Sequence, residues 1–367
     1  MVACWELHNC LHLGSRSPST LGLEVDYTRT WQPLAARSRL IEGAAPPQTN
    51  AQRSPLLEKR YCTWLIDNDR WRAFRPRPTD IVVATYPKSG TTWMQRILSL
   101  LVFRSEEPVA LDRTFPWWEV NRRPIEAVAE DFEAQQHRRS VKTHVPFDGI
   151  PRFDQVKYIH VARDGRDVCL SYHNHCTGFR REALARMDAI GLAEPTLRRP
   201  YPRVDPDPAI HFHNWLTAGA IAGQEDGTPY LSYFAYEKTF WDARKDNNLL
   251  FVHYDDLQAD MQNEMRRIAD FLEIEISGAD LSKMAGSASF ESMRKDAAVL
   301  IPEMAKNFEG GALRLLNKGQ SGRWRGVYDE SDVELFDRKL RDAVPDDYAD
   351  WLLAGRIGSG GMDPSRM

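Results

Sequence analysis

The run Tyr86-Pro87-Lys88-Ser89-Gly90-Thr91-Thr92-Trp93 decides the reading of this chain. Upstream, Asp80-Ile81-Val82-Val83-Ala84-Thr85 is a short β-branched stretch after the turn-forming Arg75-Pro76-Arg77-Pro78, the pattern of a buried strand. Downstream, Trp93, Met94, Ile97, Leu98, Leu101 and Val102 recur at helical spacing. A strand-to-helix turn built from glycine and small hydroxyl residues aims backbone N–H groups and a helix N-terminus at one point. That geometry suits a phosphate or sulfate group. Lys88 adds a positive charge at the mouth of the loop.

In the nucleoside-triphosphate P-loop the lysine follows the glycines, as G-x-x-x-x-G-K-[ST]. Here the order is Lys-Ser-Gly-Thr-Thr, so that pattern fails. The order resembles instead the 5′-phosphosulfate loop of the cytosolic-type sulfotransferases, which use 3′-phosphoadenosine 5′-phosphosulfate (PAPS) and release PAP. The resemblance spans residues of about 61 to 340. It implies an α/β domain with a central parallel sheet flanked by helices, and a P-loop-like turn that binds the phosphosulfate.

The periodicity fits that fold on its own terms. Val156 to Ala162 and Leu249 to Tyr254 are further buried-strand candidates. Each leads into a helix, one from about Asp167 and one bearing Met261, Met265, Ile268, Ala269 and Leu272. Helices alternating with near-continuous apolar strands indicate a parallel sheet covered on both faces, with ligands bound at the strands' carboxyl ends. The expected organisation is a weakly ordered extension over 1–55, one domain over 56–354 and a flexible tail over 355–367. The first segment has no sustained apolar period and reads equally as chain upstream of the true start.

Several residues acquire roles through the resemblance. His144, in Lys142-Thr143-His144-Val145-Pro146, matches the segment whose histidine is the catalytic base. Imidazole chemistry suits that role, although a histidine near a strand end also reads as structural. Lys142 would stabilise charge on the transferring sulfonate, or be a surface lysine on an edge strand. Lys88 would contact the phosphosulfate and serve the leaving oxygen. Ser89, Gly90, Thr91 and Thr92 would cradle the 5′-phosphate, and Trp93 would stack on adenine or join the core.

Arg163 and Ser171 match the pair that binds the 3′-phosphate, where the planar guanidinium fork suits phosphate oxygens. Arg166 and Asp167 are expected to form a local ion pair. Tyr254 matches an adenine contact, as do Phe290 and the nearby Ser289, with Ala288 in place of a threonine. Asn317-Lys318-Gly319 matches a further 3′-phosphate segment, with Asn317 in place of an arginine and Arg323 in place of an acid. The family's C-terminal dimerisation segment is not recognisable between Arg325 and Glu334.

Composition narrows the partners. With 42% hydrophobic and 27% charged residues the 367-residue chain is globular, and a net charge of −4 gives no reason to expect nucleic acid. Five cysteines without a C-x-x-C pair suggest free thiols in a reducing compartment. The longest apolar run, Ile97 to Phe103, is far short of the roughly 18 residues of a membrane span, and no basic-then-apolar leader opens the chain. The cytoplasm is therefore the expected location. His173-x-His175-Cys176 and His211-x-His213 lack further ligands at zinc-site spacing, so no metal is expected.

Thr196 to Pro208, with four prolines and three arginines, reads as an irregular insertion beside the site. Phe115, Trp117, Trp118, Phe179 and Trp215 are candidates either for an apolar acceptor pocket or for the core. The expected function is sulfuryl transfer from PAPS to a hydroxyl of a small or lipid-like molecule. The alternatives are a nucleotide phosphotransferase or hydrolase, disfavoured by the missing post-glycine lysine, and a silent PAP-binding protein.

Overall fold

A computed structural model describes residues 57–367, within one compact unit that begins at residue 53. The extension expected over 1–55 lies outside the described residues.

Four strands form one parallel sheet: β1 (Ile81–Thr85), β2 (Ser140–Thr143), β3 (Lys157–Ala162) and β4 (Leu249–His253), in the order β2-β1-β3-β4. Ile81 pairs with Ser140 on one side and Lys157 on the other, and Tyr158 pairs with Leu249. The chain passes from β1 outward to β2, then crosses to β3 on β1's other side. The end of β1 is therefore a topological switch point, where sheets of this kind open a crevice.

Alternation within the strands supplies two cores. Val82, Ala84, Val141, Tyr158 and Phe251 face one hydrophobic cluster, whereas Ile81, Val83, Ile159, Val161 and Val252 face the other. Helix α1 (Thr91–Phe103) covers the second face through Met94, Ile97, Leu98 and Leu101, joined by Met265, Ile268 and Ala269 from the helix Met261–Phe271. The first face is covered by α2 (Gly165–Cys176) and by the helices Pro208–Thr217, Tyr233–Asp242 and Glu330–Ala343. No helix among the described residues is long and apolar enough to cross a membrane.

The segment 355–367, expected as a flexible tail, makes defined contacts. The N–H groups of Arg356 and Ile357 each donate to Asp256 at 2.8 Å, Arg356 pairs with the buried Glu264 at 2.7 Å, and Pro364 is buried.

The amino ends of β1 and β2 are joined by a buried fork. Arg139 Nε reaches Asp80 Oδ1 at 2.8 Å and Nη2 reaches Oδ2 at 2.6 Å, with the guanidinium 4.1 Å from the Phe132 ring centroid. The Arg139 and Asp80 side chains are 2% and 0% exposed, so neither charge can fall back on water. Arg139 also pairs with the half-exposed Glu133 at 2.6 Å, so Asp80→Asn leaves it one carboxylate and is expected to destabilise the protein by about 1.5–3 kcal/mol, the loss of buried charge-assisted hydrogen bonds. Pairing it with Arg139→Met should restore part of that loss, as read by urea unfolding of both variants.

Candidate active site

Each strand delivers a site residue immediately after its last residue. Tyr86 to Gly90 follow β1, His144 follows β2, Arg163 follows β3 and Tyr254 follows β4. The register brings them to one edge, where Pro87, Lys88, Gly90, His144, Arg163 and Tyr254 line a single cleft and Tyr86 and Ser89 are buried behind it.

The loop after β1 is held in an unusual backbone. Lys88 has φ +78° and Gly90 has φ +117°, and Ser89 N–H closes a turn on Tyr86 O at 3.2 Å. A left-handed non-glycine residue costs about 1–3 kcal/mol and is typical of functional loops. Gly90 is the N-cap of α1 and provides no side-chain cap, so the first-turn N–H groups of Thr91, Thr92 and Trp93 remain open to an outside acceptor. A Cβ on Gly90 would meet the Tyr254 ring at 3.1 Å and Val161 at 3.5 Å.

His144 is fixed on three sides. Its N–H donates to Glu119 Oε1 at 2.8 Å, and its carbonyl accepts from Tyr230 Oη at 3.0 Å. Its Nδ1 lies 2.8 Å from the Thr85 carbonyl and 3.2 Å from Thr85 Oγ1. A carbonyl oxygen can only accept, so Nδ1 carries the hydrogen and Nε2 is left with a bare lone pair. Burial, then the charges of Lys142 and Lys88, push this histidine down to about 3 despite the Thr85 bond.

The two lysines are perturbed in turn. Lys88 is lowered to about 8 by burial and then by Arg163, and Lys142 to about 8 by burial, then Arg122, with Lys88 contributing. Lys142 is 4% exposed, with its ammonium 5.5 Å from the Trp117 ring centroid, which rules out the surface-lysine alternative. Among the described residues no aspartate or glutamate lines the cleft, which holds Lys88, Arg122, Lys142, Arg163, Lys318 and Arg323. The site is a concentration of positive charge without an internal counter-ion, suited to a polyanion.

Arg163 lies 4.0 Å from the Tyr254 ring centroid and donates to Gln320 O at 2.8 Å, while its buried Nε has no partner. Ser171 and His175, four residues apart on α2, both face the cleft. Trp93 donates Nε1–H to Ala288 O at 2.7 Å and meets Tyr254 edge-on at 5.0 Å. Phe290 packs so closely on Gly319 (φ +63°) that a Cβ there would lie 2.4 Å from its ring. Asn317, Lys318 and Gly319 also line the cleft. Arg294 grips the carbonyls of Leu316 and Asn317 from behind.

Two expected cofactor residues do not reach the cleft. Ser89 is fully buried behind its loop, with Oγ unpartnered, and Ser289 is the N-cap of the helix Phe290–Lys295, accepting from Ser292 N–H at 3.2 Å. The expected Arg166–Asp167 pair is corrected as well. Arg166 forks onto Asp164, with Nη2 to Oδ2 at 2.8 Å, because Asp164 caps the same helix turn. Asp167 instead accepts from the N–H groups of Gly322 at 2.5 Å and Arg323 at 3.0 Å, tying the 317–323 loop to α2.

Of the candidate aromatics, Trp117 and Phe179 line the cleft, whereas Phe115, Trp118 and Trp215 are core. In the proline-rich insertion, Tyr201 is buried and packs edge-on against Phe179, with centroids 6.2 Å apart. No group of three or more potential metal ligands converges among the described residues. Sequence reasoning missed Thr85, Glu119, Tyr230 and Arg122. Thr85, Glu119 and Tyr230 meet His144 across 59, 25 and 86 residues of sequence, and Arg122 reaches the cleft only through the fold, so no local pattern marks them.

Comparison with known proteins agrees with this geometry. Residues 78–347 match the family described as "Sulfotransferase domain". A protein named glycolipid sulfotransferase from Mycobacterium bovis is 31% identical over 310 residues, covering 81% of this chain and 95% of the relative. Sulfotransferase 1B1 of Canis lupus familiaris is 27% identical, covering 72% of this chain and 83% of its own. Among solved structures, retinol dehydratase in complex with retinol and PAP aligns with a TM-score of 0.57 at 21% identity, covering 77% and 87% of the two chains. Mouse sulfotransferase SULT7A1 complexed with PAP gives 0.54 at 20% identity, covering 78% and 92%.

Gly90→Ala should cost about 1–2 kcal/mol, since the left-handed backbone and the Tyr254 ring both resist a Cβ. Thermal unfolding of the variant checks this, and an unchanged Tm would mean the loop relaxes without penalty.

Proposed function

The chain belongs to the sulfotransferase family, and we propose that the residues of its cleft divide among themselves the transfer of a sulfuryl group from PAPS to a hydroxyl acceptor. One observation carries this assignment: a histidine with a bare Nε2 shares a carboxylate-free cleft with two lysines at strand ends. The cleft also fits a donor with two anionic ends. The open first turn of α1 and Lys88 lie at one end, Arg163 with an unsatisfied Nε and Ser171 at the other.

In the reaction His144 Nε2 takes the proton of the acceptor hydroxyl as that oxygen bonds to sulfur. The bond from sulfur to the bridging phosphate oxygen breaks, and Lys88 offsets the charge left on that oxygen. Lys142 stabilises the sulfonate between them, and PAP departs. Positioning and electrostatics supply most of the rate in such transfers.

The bound donor also arms the base. Burial, and then the charges of Lys142 and Lys88, hold His144 far below its ordinary range in the free protein, and the lysine part of that effect is open to a ligand's charge. A polyanion between them screens that repulsion and makes the imidazole more basic when it is needed.

Arg163, Ser171, Lys318 and Gly319 hold the 3′-phosphate, while Trp93, Tyr254 and Phe290 form the adenine side. Asn317 supplies a neutral group there, and Arg323 lines the same cleft. The acceptor is a small or lipid-like alcohol. The relatives named for glycolipids support this, as do the apolar residues Tyr172, Phe179 and Phe308 at the cleft's far side. Free thiols at Cys62, Cys169 and Cys176 support residence in the cytoplasm.

His144→Ala is expected to lower transfer by about 10²–10⁴-fold while PAP still raises the melting temperature as it does for the native protein. Native turnover in the variant would remove His144 from the mechanism.

Donor affinity should depend on pH through the lysines. Both are lowered to about 8 in the free protein, and an anion binds their protonated forms. Above that pH binding must take up protons, so PAP affinity should fall as pH rises, by at most about tenfold per unit for each lysine. Calorimetry between pH 7 and about 9.5 reads this, and a flat profile would mean the lysines stay charged without the ligand.

A further inference from the structure

A second, smaller cavity adjoins the cleft and shares Leu65, Arg122 and Phe179 with it. Its walls are apolar. Ala183, Met187 and Ile190 fall on one face of the helix Arg181–Ala193, opposite Trp64 and Val120. Trp64 donates its Nε1–H to Arg199 O at 2.9 Å, so its indole faces the cavity with no unmet polar group.

The junction is cationic. Arg122 lies at the rim of both cavities and has neither a hydrogen bond nor an ion pair among the described residues, whereas its neighbour Arg123 pairs with Asp131 at 2.7 Å. Burial and then the charge of Arg186 disfavour the Arg122 guanidinium. Among the described residues Arg186, at the rim of the smaller cavity, has only the neutral Asn307 amide oxygen as its partner, at 2.5 Å. Neither cavity is lined by a carboxylate. Asp112, whose charge reaches both Arg122 and Lys142, accepts from the N–H groups of Glu303 and Met304 through Oδ2 and leaves Oδ1 unpartnered, but it forms neither a hydrogen bond nor an ion pair with Arg122. The donor's charges have Lys88, Arg163 and Lys318, which leaves Arg122 without a counter-ion on the acceptor side.

We infer that the acceptor is an anionic amphiphile: its hydroxyl meets His144, its carboxylate, phosphate or sulfate pairs with Arg122, and its alkyl chain passes Phe179 into the smaller cavity. This rests on the sulfuryl-transfer reading and narrows the acceptor within it. The smaller cavity, which shares Leu65, Arg122 and Phe179 with the cleft, supplies the room for the chain, and the unpaired arginine between them supplies the reason for a charge. A neutral alcohol would leave that guanidinium unmatched.

The test is calorimetric binding to the PAP-loaded full-length protein, with dodecanoate, its methyl ester and butanoate as probes. Dodecanoate should bind at least about tenfold more tightly than the ester and than butanoate. Arg122→Gln should abolish its advantage over the ester while retaining its advantage over butanoate. Transfer to 3-hydroxydodecanoate and to its methyl ester should follow the same order in kcat/KM. Equal binding of acid and ester, or a preference for the acid that survives Arg122→Gln, would overturn the anionic contact. Equal binding of dodecanoate and butanoate would overturn the chain path. Failure of PAP itself to bind would instead remove the sulfuryl-transfer reading beneath both.

Discussion

The parallel register of four short strands is the constraint from which the site follows. Because β1, β2, β3 and β4 end at one edge, the residues just beyond them converge without any long-range search. Parallel pairing demands that each return crossing be made by other structure, and here helices make it on both faces. Burying both faces leaves the strand ends as the sheet's reactive boundary. The tautomer of His144 is a second consequence of the register. Thr85, the last residue of β1, presents its carbonyl to the histidine just past the end of neighbouring β2, and so selects the tautomer that can accept a proton.

A cleft with six cationic side chains and no carboxylate in its lining is costly in the free protein, and the perturbed lysines show where the cost falls. Lys88, Lys142 and Arg163 are held apart by the ends of three adjacent strands. Glu119, the buried carboxylate nearest in chemistry, is spent on the N–H groups of His144 and Trp117. Its role is to orient the site, and the charge is left for the ligands to balance.

The parts legible in the sequence were those with local signatures. β1, β3 and β4 are runs of β-branched and aromatic residues, and the phosphosulfate loop is contiguous. β2 is harder to read because Ser140-Val141-Lys142-Thr143 has one apolar residue, yet all four are buried. Its lysine is enclosed by the cleft, a property of the assembled fold and not of the segment. The Arg166–Asp167 pairing failed for a related reason. Adjacent opposite charges suggested a pair, but Asp164 caps the helix and takes the guanidinium, while Asp167 reaches a loop 155 residues away. Ser289 was read for a ligand although it stands at a helix start, where a serine side chain satisfies the helix's own N–H groups.

The Asp80–Arg139 fork gives the sheet two ends of different character. β1 is five residues long, so about 16 Å separates that fork from the loop proposed to meet the donor. Changes that far apart, with no shared partner, generally add independently. The amino edge can therefore absorb or supply stability while the carboxyl edge varies in chemistry. For engineering, this means that losses incurred in reshaping the acceptor cavity can be compensated at the opposite edge, with the donor loop untouched.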